Sequence, residues 1–195
     1  MKIEADAEVP FARALVYATY RDRLPDLVPF LPNVRRIDVR ERHEEPGLVR
    51  LVNVWDGAGE IPAVARAFLS EKMLCWTDRA EWSEAQWSCA WRIETHAFTE
   101  AIRCQGTNRF IELDAARCGV EIRGELEVDL RQVPGVPRLL AGSLGPVVAQ
   151  FLVRHITPNL VQVSRGVARY LEQQAQGAGR QACGLPPLAG KSRNG

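Results

Sequence analysis

The order of hydrophobic patterns along the chain constrains its fold more than any other feature. Residues 34–131 contain successive segments in which apolar and polar residues alternate, a pattern typical of half-buried strands. A short helical pattern precedes this run, and one long amphipathic helical pattern follows it. Since an antiparallel sheet can bury one face and leave the other in water, the order predicts a curved sheet wrapped around a C-terminal helix. Such an arrangement encloses space and favours an apolar ligand.

The alternation also predicts the individual elements. Val120, Ile122 and Leu126 face one side of the last strand, predicted over residues 117–133, and charged residues face the other. The other predicted elements are strands over residues 2–9, 34–43, 48–55, 73–82, 86–95 and 101–113, short helices over 11–20 and 24–31, and a long helix over 145–174. Residues 61–69 fit an Ala-rich helix or a bent strand, and we favour the strand. Pro158 predicts a kink in the long helix.

The composition is that of one globular domain with a tail. With 195 residues, of which 46% are hydrophobic and 25% charged, the chain can bury a sizeable core. We expect the domain over residues 1–175 and a disordered tail over 176–195, where glycine and proline accumulate. The net charge of +1 and the absence of a basic stripe argue against a nucleic-acid partner.

The sequence favours a cytoplasmic protein. No stretch has the apolar length of a signal peptide core or a membrane span. The cysteines show no CxxC pair and no spacing typical of secreted domains, so we expect free thiols in a reducing compartment. They are Cys75, Cys89, Cys104, Cys118 and Cys183. Nothing in the sequence specifies an oligomeric state.

The segment from Pro10 to Val34 carries a resemblance to a known family. It places a helix after the first strand and then the run Leu-Pro-Asp-Leu-Val-Pro-Phe-Leu-Pro-Asn-Val before the second. Together with the element order over about residues 2–173, this resembles the Bet v 1-like, START and polyketide cyclase (SRPBCC) superfamily. The coenzyme Q-binding and cyclase/dehydrase-like branch is the most similar.

The resemblance implies an α+β helix-grip fold. In that fold a curved antiparallel sheet of about six or seven strands surrounds a long C-terminal helix, with two short helices after the first strand. It also implies a hydrophobic cavity between sheet and helix that holds a lipid, a quinone, a polyketide or another apolar small molecule. The superfamily has no universal catalytic signature, so the resemblance assigns no catalytic residue.

Seven residues are candidates for lining this pocket. They are Trp55, Trp76, Trp91, Asn108, Phe151, Leu152 and His155. The tryptophans lie in predicted strands, where core packing is the alternative role, and Trp91 has the best-defined inward position. Asn108 shares the inward face of its strand, and a buried amide there needs a hydrogen bond from a ligand, the backbone or water. Gly106 and Gly124, in adjacent strands, predict a bend in the sheet.

The sequence indicates binding more than catalysis. Its three histidines are dispersed, and no phosphate-binding loop or nucleophile elbow is present, so we expect no metal, no cofactor and no catalytic residue. The leading hypothesis is the binding or transport of a hydrophobic small molecule. One alternative is a cyclase or dehydratase acting on a polyketide-like substrate, with His155 as its most defensible acid or base. Another is a non-catalytic interaction or regulatory module. We expect no convergent charges on the inward face, and therefore a largely uncharged ligand.

Overall fold

A computed structural model describes residues 1–58, 75–96, 99–129, 131 and 160–177. Within these ranges, seven strands form one sheet in the order β1-β7-β6-β5-β4-β3-β2, and every neighbouring pair is antiparallel. The elements are β1 (Lys2–Val9), α1 (Arg13–Asp22), a 3-10 helix (Leu24–Phe30), β2 (Val34–Glu45), β3 (Leu48–Gly57), β4 (Cys75–Ser83), β5 (Ser88–Thr95), β6 (Ile102–Asp114), β7 (Arg117–Val128) and α2, described over 160–177. The predicted α+β helix-grip architecture is confirmed.

The pairing register divides the sheet into a buried face and an outer face. Ile3, Gly124, Gly106, Trp91 and Ala80 are successive cross-strand partners, so they form one row on the buried face. The next row joins Leu126, Cys104, Ile93, Asp78 and Asn53. In the row after it, Val128 pairs with Ile102, and Thr95, Trp76, Trp55 and Ile37 are successive partners. We call this buried side the inner face.

Two glycines in the middle of the inner face allow a close approach. A Cβ at Gly106 would lie 2.5 Å from the carbonyl oxygen of Arg123 and would also collide with the indole of Trp91. A Cβ at Gly124 would lie 2.7 Å from the carbonyl oxygen of Gln105 and 2.9 Å from Cη2 of Trp91. The Trp91 ring therefore occupies the space above both glycines, where any other residue would force the strands or the ring to move.

Helices α1 and α2 cover one half of the inner face. Tyr17 of α1 makes edge-to-face contacts with Trp82, Trp87 and Phe110, at centroid distances of 5.2–5.3 Å. The Tyr20 hydroxyl forms a buried hydrogen bond with the Ser164 hydroxyl, which ties α1 to α2. Val167 and Leu171 of α2 belong to the same apolar cluster as these aromatic residues.

The outer face is charged, and its charges are paired. Arg123 contacts Asp6 at 2.6 Å, and Arg50 contacts Glu81 at 2.9 Å. In β2, the Asp38 carboxylate accepts a hydrogen bond from Arg40 at 3.2 Å. Exposed pairs of this kind contribute about 0–1 kcal/mol each, so they keep the face wet more than they stabilise the fold.

Some element boundaries differ from the prediction. Trp87, which falls within the strand predicted over residues 86–95, lies in a turn at φ 48°, and β5 begins at Ser88. Its ring still packs on Tyr17 and under the Arg13 guanidinium, 4.4 Å from the ring centroid. β7 ends at Val128, several residues before the predicted end. Residues 61–69, the first part of the long helix with Pro158, and the tail after residue 177 lie outside the described residues.

We expect Gly106→Ala to destabilise the fold because the new methyl group meets backbone atoms of β7 as well as the Trp91 ring. Overpacking of this kind costs about 1–3 kcal/mol. Urea unfolding of the variant would measure the loss. The matched control is Gly119→Ala in β7, whose Cβ would meet only the Leu113 and Ile111 side chains at 3.4–3.7 Å. Equal stabilities of the two variants would contradict the close approach.

Candidate functional site

The candidate site is the half of the inner face that α1 does not cover. In the covered half, Tyr17, Trp82, Cys89, Phe110 and Val120 are buried. In the other half, Leu126, Cys104, Trp55 and Ile37 of the last two rows of the inner face are buried, whereas four apolar side chains of these rows are only partly buried. They are Trp76, Ile93, Ile102 and Val128. Apolar side chains that line a sheet but are not fully packed form the kind of surface on which a small molecule binds.

Two stacked tryptophans form one wall of this site. Trp55 in β3 and Trp76 in β4 are direct cross-strand partners. Their ring centroids lie 5.6 Å apart, and the ring planes differ by 15°. Both residues face inward on their strands, and the register places them directly opposite each other. Their rings therefore come into contact. The stack presents a flat aromatic surface at the end of the inner face.

A polar pair lies in the next row, beside the tryptophans. Asn53 is completely buried, and its Nδ2 donates to Asp78 Oδ2 at 3.2 Å. Asp78 itself is only partly buried. Asn53 and Asp78 are cross-strand partners, as Trp55 and Trp76 are, so the register of β3 and β4 positions all four side chains together.

The carboxyl group of Asp78 has an unusual proton affinity. Burial raises its pKa to about 6, although the Asn53 amide and the nearby Trp55 indole N–H act in the opposite direction. The indole N–H lies beside the carboxylate without reaching hydrogen-bonding geometry to any acceptor. A carboxyl group with a pKa near neutrality can bind a hydrogen-bond donor or exchange a proton with a ligand.

Trp91 and Asn108 are bonded to each other. Trp91 Nε1 donates to Asn108 Oδ1 at 2.9 Å, while the indole lies over the two glycines. Asn108 does face inward, as its parity predicted, and it is partly buried. Its amide oxygen holds the Trp91 ring in place. Any contact of these two residues with a ligand stays a prediction.

The candidate residues predicted from the sequence fall into three groups. Trp55 and Trp76 lie in the candidate site, Trp91 lies in the adjoining row, and Asn108 lies one row further from the site. Phe151, Leu152 and His155 lie outside the described residues.

Sequence reasoning missed Asn53 and Asp78. Each lies two residues from inward-facing neighbours in its strand and therefore faces inward as well. Asn53 stands between Leu51 and Trp55, and Asp78 stands between Trp76 and Ala80. The expectation that the inner face carries no convergent charge is therefore wrong, because Asp78 faces it.

Other reactive groups do not converge on the site. Burial raises the pKa of the Cys89 thiol well above its usual value and that of Cys104 to about 11, so both stay protonated and act as small apolar side chains. The exposed His96 ring bonds to Thr77 Oγ1 at 2.8 Å. Among the residues that the structure describes, no three His, Cys, Asp or Glu side chains lie close enough to hold a metal ion. In the same ranges, no helix has the length and apolar character needed to cross a membrane.

Comparisons with known proteins define the fold. The sequence matches no protein-family model and no curated protein. The structure is similar to the ZhuI aromatase/cyclase from Streptomyces sp. R1128, with a TM-score of 0.63 and 20% identity over 92% of this chain and 98% of that chain. It is also similar to a truncated norcoclaurine synthase from Thalictrum flavum, with a TM-score of 0.55 and 12% identity over 88% of this chain and 92% of that chain. A third similar structure is Ara h 8.0201, with a TM-score of 0.54 and 12% identity over 89% and 98%.

This chain has the Bet v 1-like helix-grip fold. At identities of 20% or less, the similarity shows the fold alone. The fold expected from the resemblance in the sequence is therefore confirmed. Chemistry has to be argued from the residues of the site.

We expect Asp78→Asn to stabilise the protein at neutral and alkaline pH. Because the folded state raises the pKa of Asp78 from 3.8 to about 6, it holds the proton more tightly than the unfolded state does. The ionised group therefore costs stability progressively as the pH rises from about 4 to 6, and the full cost, about 3 kcal/mol, is present above pH 7. The variant carries no such cost, so its advantage should appear at pH 8 and vanish near pH 4.

Urea unfolding at several pH values would measure this difference. The control is Asp6→Asn on the outer face, where the carboxylate is exposed and pairs with Arg123. Its effect should be small, because the pair is exposed. A pH-independent effect of Asp78→Asn would contradict the raised pKa.

We expect Asn108→Leu to destabilise the fold through Trp91. The substitution leaves the indole N–H of Trp91 buried without its acceptor, which costs about 1–3 kcal/mol. Trp91→Phe removes the donor, so the double variant should lose less stability than the sum of the two single variants. A double-mutant cycle by urea unfolding measures this coupling, and strict additivity would show that the hydrogen bond contributes nothing.

Proposed function

We propose that this protein binds a planar, largely apolar small molecule between the sheet and the C-terminal helix, on the half of the inner face that α1 does not cover. The observation that carries the proposal is the stacked pair of Trp55 and Trp76 beside Asn53 and Asp78. Ligand sites in proteins are mostly apolar and hold a few polar groups that set the orientation of the ligand. This half of the face has that composition.

Buried polar atoms without hydrogen-bond partners support the same proposal. Buried polar atoms in native proteins are almost always hydrogen-bonded. Here Asn53 Oδ1 and Trp55 Nε1 are buried, and neither has a partner. Each unpaired group costs about 1–3 kcal/mol, which a bound ligand or water would offset. Residues that served only to pack a core would more often be apolar at these positions.

The similarity of the fold to the ZhuI aromatase/cyclase and to norcoclaurine synthase agrees with an organic ligand of this kind. The described cysteines are free thiols, which fits the proposal that the protein works in the cytoplasm.

A second candidate function is acid–base catalysis on a polyketide-like substrate, such as a cyclisation or a dehydration. The pKa of about 6 at Asp78 favours it, because a group that titrates near neutral pH can both accept and return a proton. In this candidate Asp78 takes the role that the sequence reading gave to His155. Loss of turnover in Asp78→Asn with retained substrate binding would support catalysis, whereas parallel loss of both would support binding alone.

We expect the protein to bind the neutral fluorescent probe N-phenyl-1-naphthylamine, whose emission rises in apolar surroundings. Trp76→Ala should weaken this binding by about fivefold or more, because it removes half of the aromatic wall. The measurement is a fluorescence titration, with circular dichroism to confirm that the variant is folded.

The matched control is Leu113→Ala, which removes an apolar side chain that is 47% exposed on β6, away from the site. It should leave the affinity for the probe unchanged. Equal affinities of the wild type and Trp76→Ala would place the probe elsewhere and contradict the proposed site.

A further inference from the structure

The outer face of the sheet carries a hollow that the proposed function does not use. It is open, has a volume of about 790 Å³, and lies over β4 to β7 and the start of β1. Its floor is the middle of the cross-strand row Glu81, Ala90, Thr107 and Arg123, where two short side chains stand between longer charged ones. Hollows of this size are typical of sites for small molecules.

Two arginines face each other across strands at one side of this hollow. Arg79 in β4 and Arg92 in β5 are direct cross-strand partners, and both line the hollow. Like charges directly opposite each other destabilise a sheet. An anion between the two guanidinium groups relieves that repulsion.

Within the described residues, one carboxylate serves this pair of arginines. Arg79 Nε lies 3.2 Å from both oxygens of Glu94, and Arg92 Nη2 lies 3.6 Å from Glu94 Oε1. By contrast, Arg50 on β3 contacts two carboxylates, at 2.7 and 2.9 Å. The terminal N–H groups of Arg79 and all N–H groups of Arg92 therefore have no hydrogen-bond acceptor in the described part of the chain.

These spare donors define the chemistry that the arginine pair recognises. Guanidinium groups bind the oxygens of carboxylates and phosphates through two parallel N–H groups. A carboxylate has two oxygens and a single charge, which one guanidinium satisfies. A phosphate monoester has three acceptor oxygens and a charge of about −1.5 to −2 near neutral pH, so it can bridge two guanidinium groups.

We propose that the outer hollow binds a phosphate monoester of a small organic molecule. The phosphate lies between Arg79 and Arg92, and the organic part lies over Ala90 and Thr107 on the floor. This site is on the opposite side of the sheet from the aromatic wall of the inner face, so it is independent of the proposed function.

The probe that tests this site is 1-naphthyl phosphate. Isothermal titration calorimetry with the full-length chain at pH 8 and about 20 mM NaCl should show binding, and about 300 mM NaCl should weaken it several-fold, because salt screens exposed charges. Inorganic phosphate should bind at least threefold more weakly than the ester, because it makes no contact with the floor of the hollow.

Substitutions of Arg92 separate the guanidinium pair from general charge. Arg92→Gln should weaken the binding of 1-naphthyl phosphate by about fivefold or more. Arg92→Lys keeps the charge but loses the two parallel N–H groups, so it should weaken binding by at least threefold. Circular dichroism would confirm that each variant is folded.

The matched control is Arg40→Gln on the edge strand β2. Arg40 and Arg36 also share one carboxylate, that of Asp38, at 3.2 and 3.4 Å, but neither arginine lines the hollow. The Arg40 side chain is 58% exposed and that of Arg92 is 68% exposed, so both substitutions remove a similar surface charge. Arg40→Gln should change the affinity by less than twofold.

The outcomes distinguish the outer site from the inner one. If 1-naphthyl phosphate does not bind, or if Arg92→Gln and Arg40→Gln weaken it equally, the outer site is overturned. Equal binding of inorganic phosphate and the ester would show that the organic part does not contact the hollow, which also contradicts the proposed ligand. Trp76→Ala should leave the binding of 1-naphthyl phosphate unchanged. A loss in that variant would place the naphthyl ring on the inner face, so that the outer site fails while the proposed function stands.

Discussion

The contact of the Trp91 indole with Gly106 and Gly124 is the constraint on which the inner face depends. Three consecutive strands meet there, and the ring fills the space that two Cβ atoms would otherwise need. Asn108 fixes the orientation of that ring through one hydrogen bond. Because protein interiors are close-packed, the ring and the glycines constrain each other. The sheet around them sets the positions of both terminal rows of the inner face.

The two halves of the inner face, on either side of this contact, differ in how deeply their side chains are buried and in whether they include polar groups. Toward α1, aromatic and aliphatic side chains are buried, and α2 is tied in by Tyr20 and Ser164. Toward the other end, Trp76, Ile93, Ile102 and Val128 are only partly buried, and Asn53 and Asp78 interrupt the apolar surface. A fold needs only the first kind of packing for stability. The second kind, with a carboxylate whose burial costs free energy and with unpaired polar atoms, is characteristic of functional sites, where proteins give up stability for chemistry.

Much of this architecture is readable from the chain. The alternation in residues 117–128 predicted β7 and its buried side, and the apolar stripe in 160–171 predicted the described part of α2. Strand ends were less predictable, because they depend on where a partner strand stops. Trp87 shows the reason: it continues the alternation of β5, yet the turn from β4 places it in a left-handed conformation.

The sequence by itself determined the fold class and the inward side of each strand, because the period of two is a local property of a pleated chain. It also contained the parity of Asp78, although a carboxylate among tryptophans contradicts the usual expectation that charges face water. Only the tertiary structure decided which inward residues meet. Register joins Asn53 to Asp78 across 25 residues and Trp91 to Asn108 across 17, and no local pattern specifies either pairing. The resulting hydrogen bonds hold an amide beside a carboxyl group in the first pair and fix the orientation of an indole ring in the second.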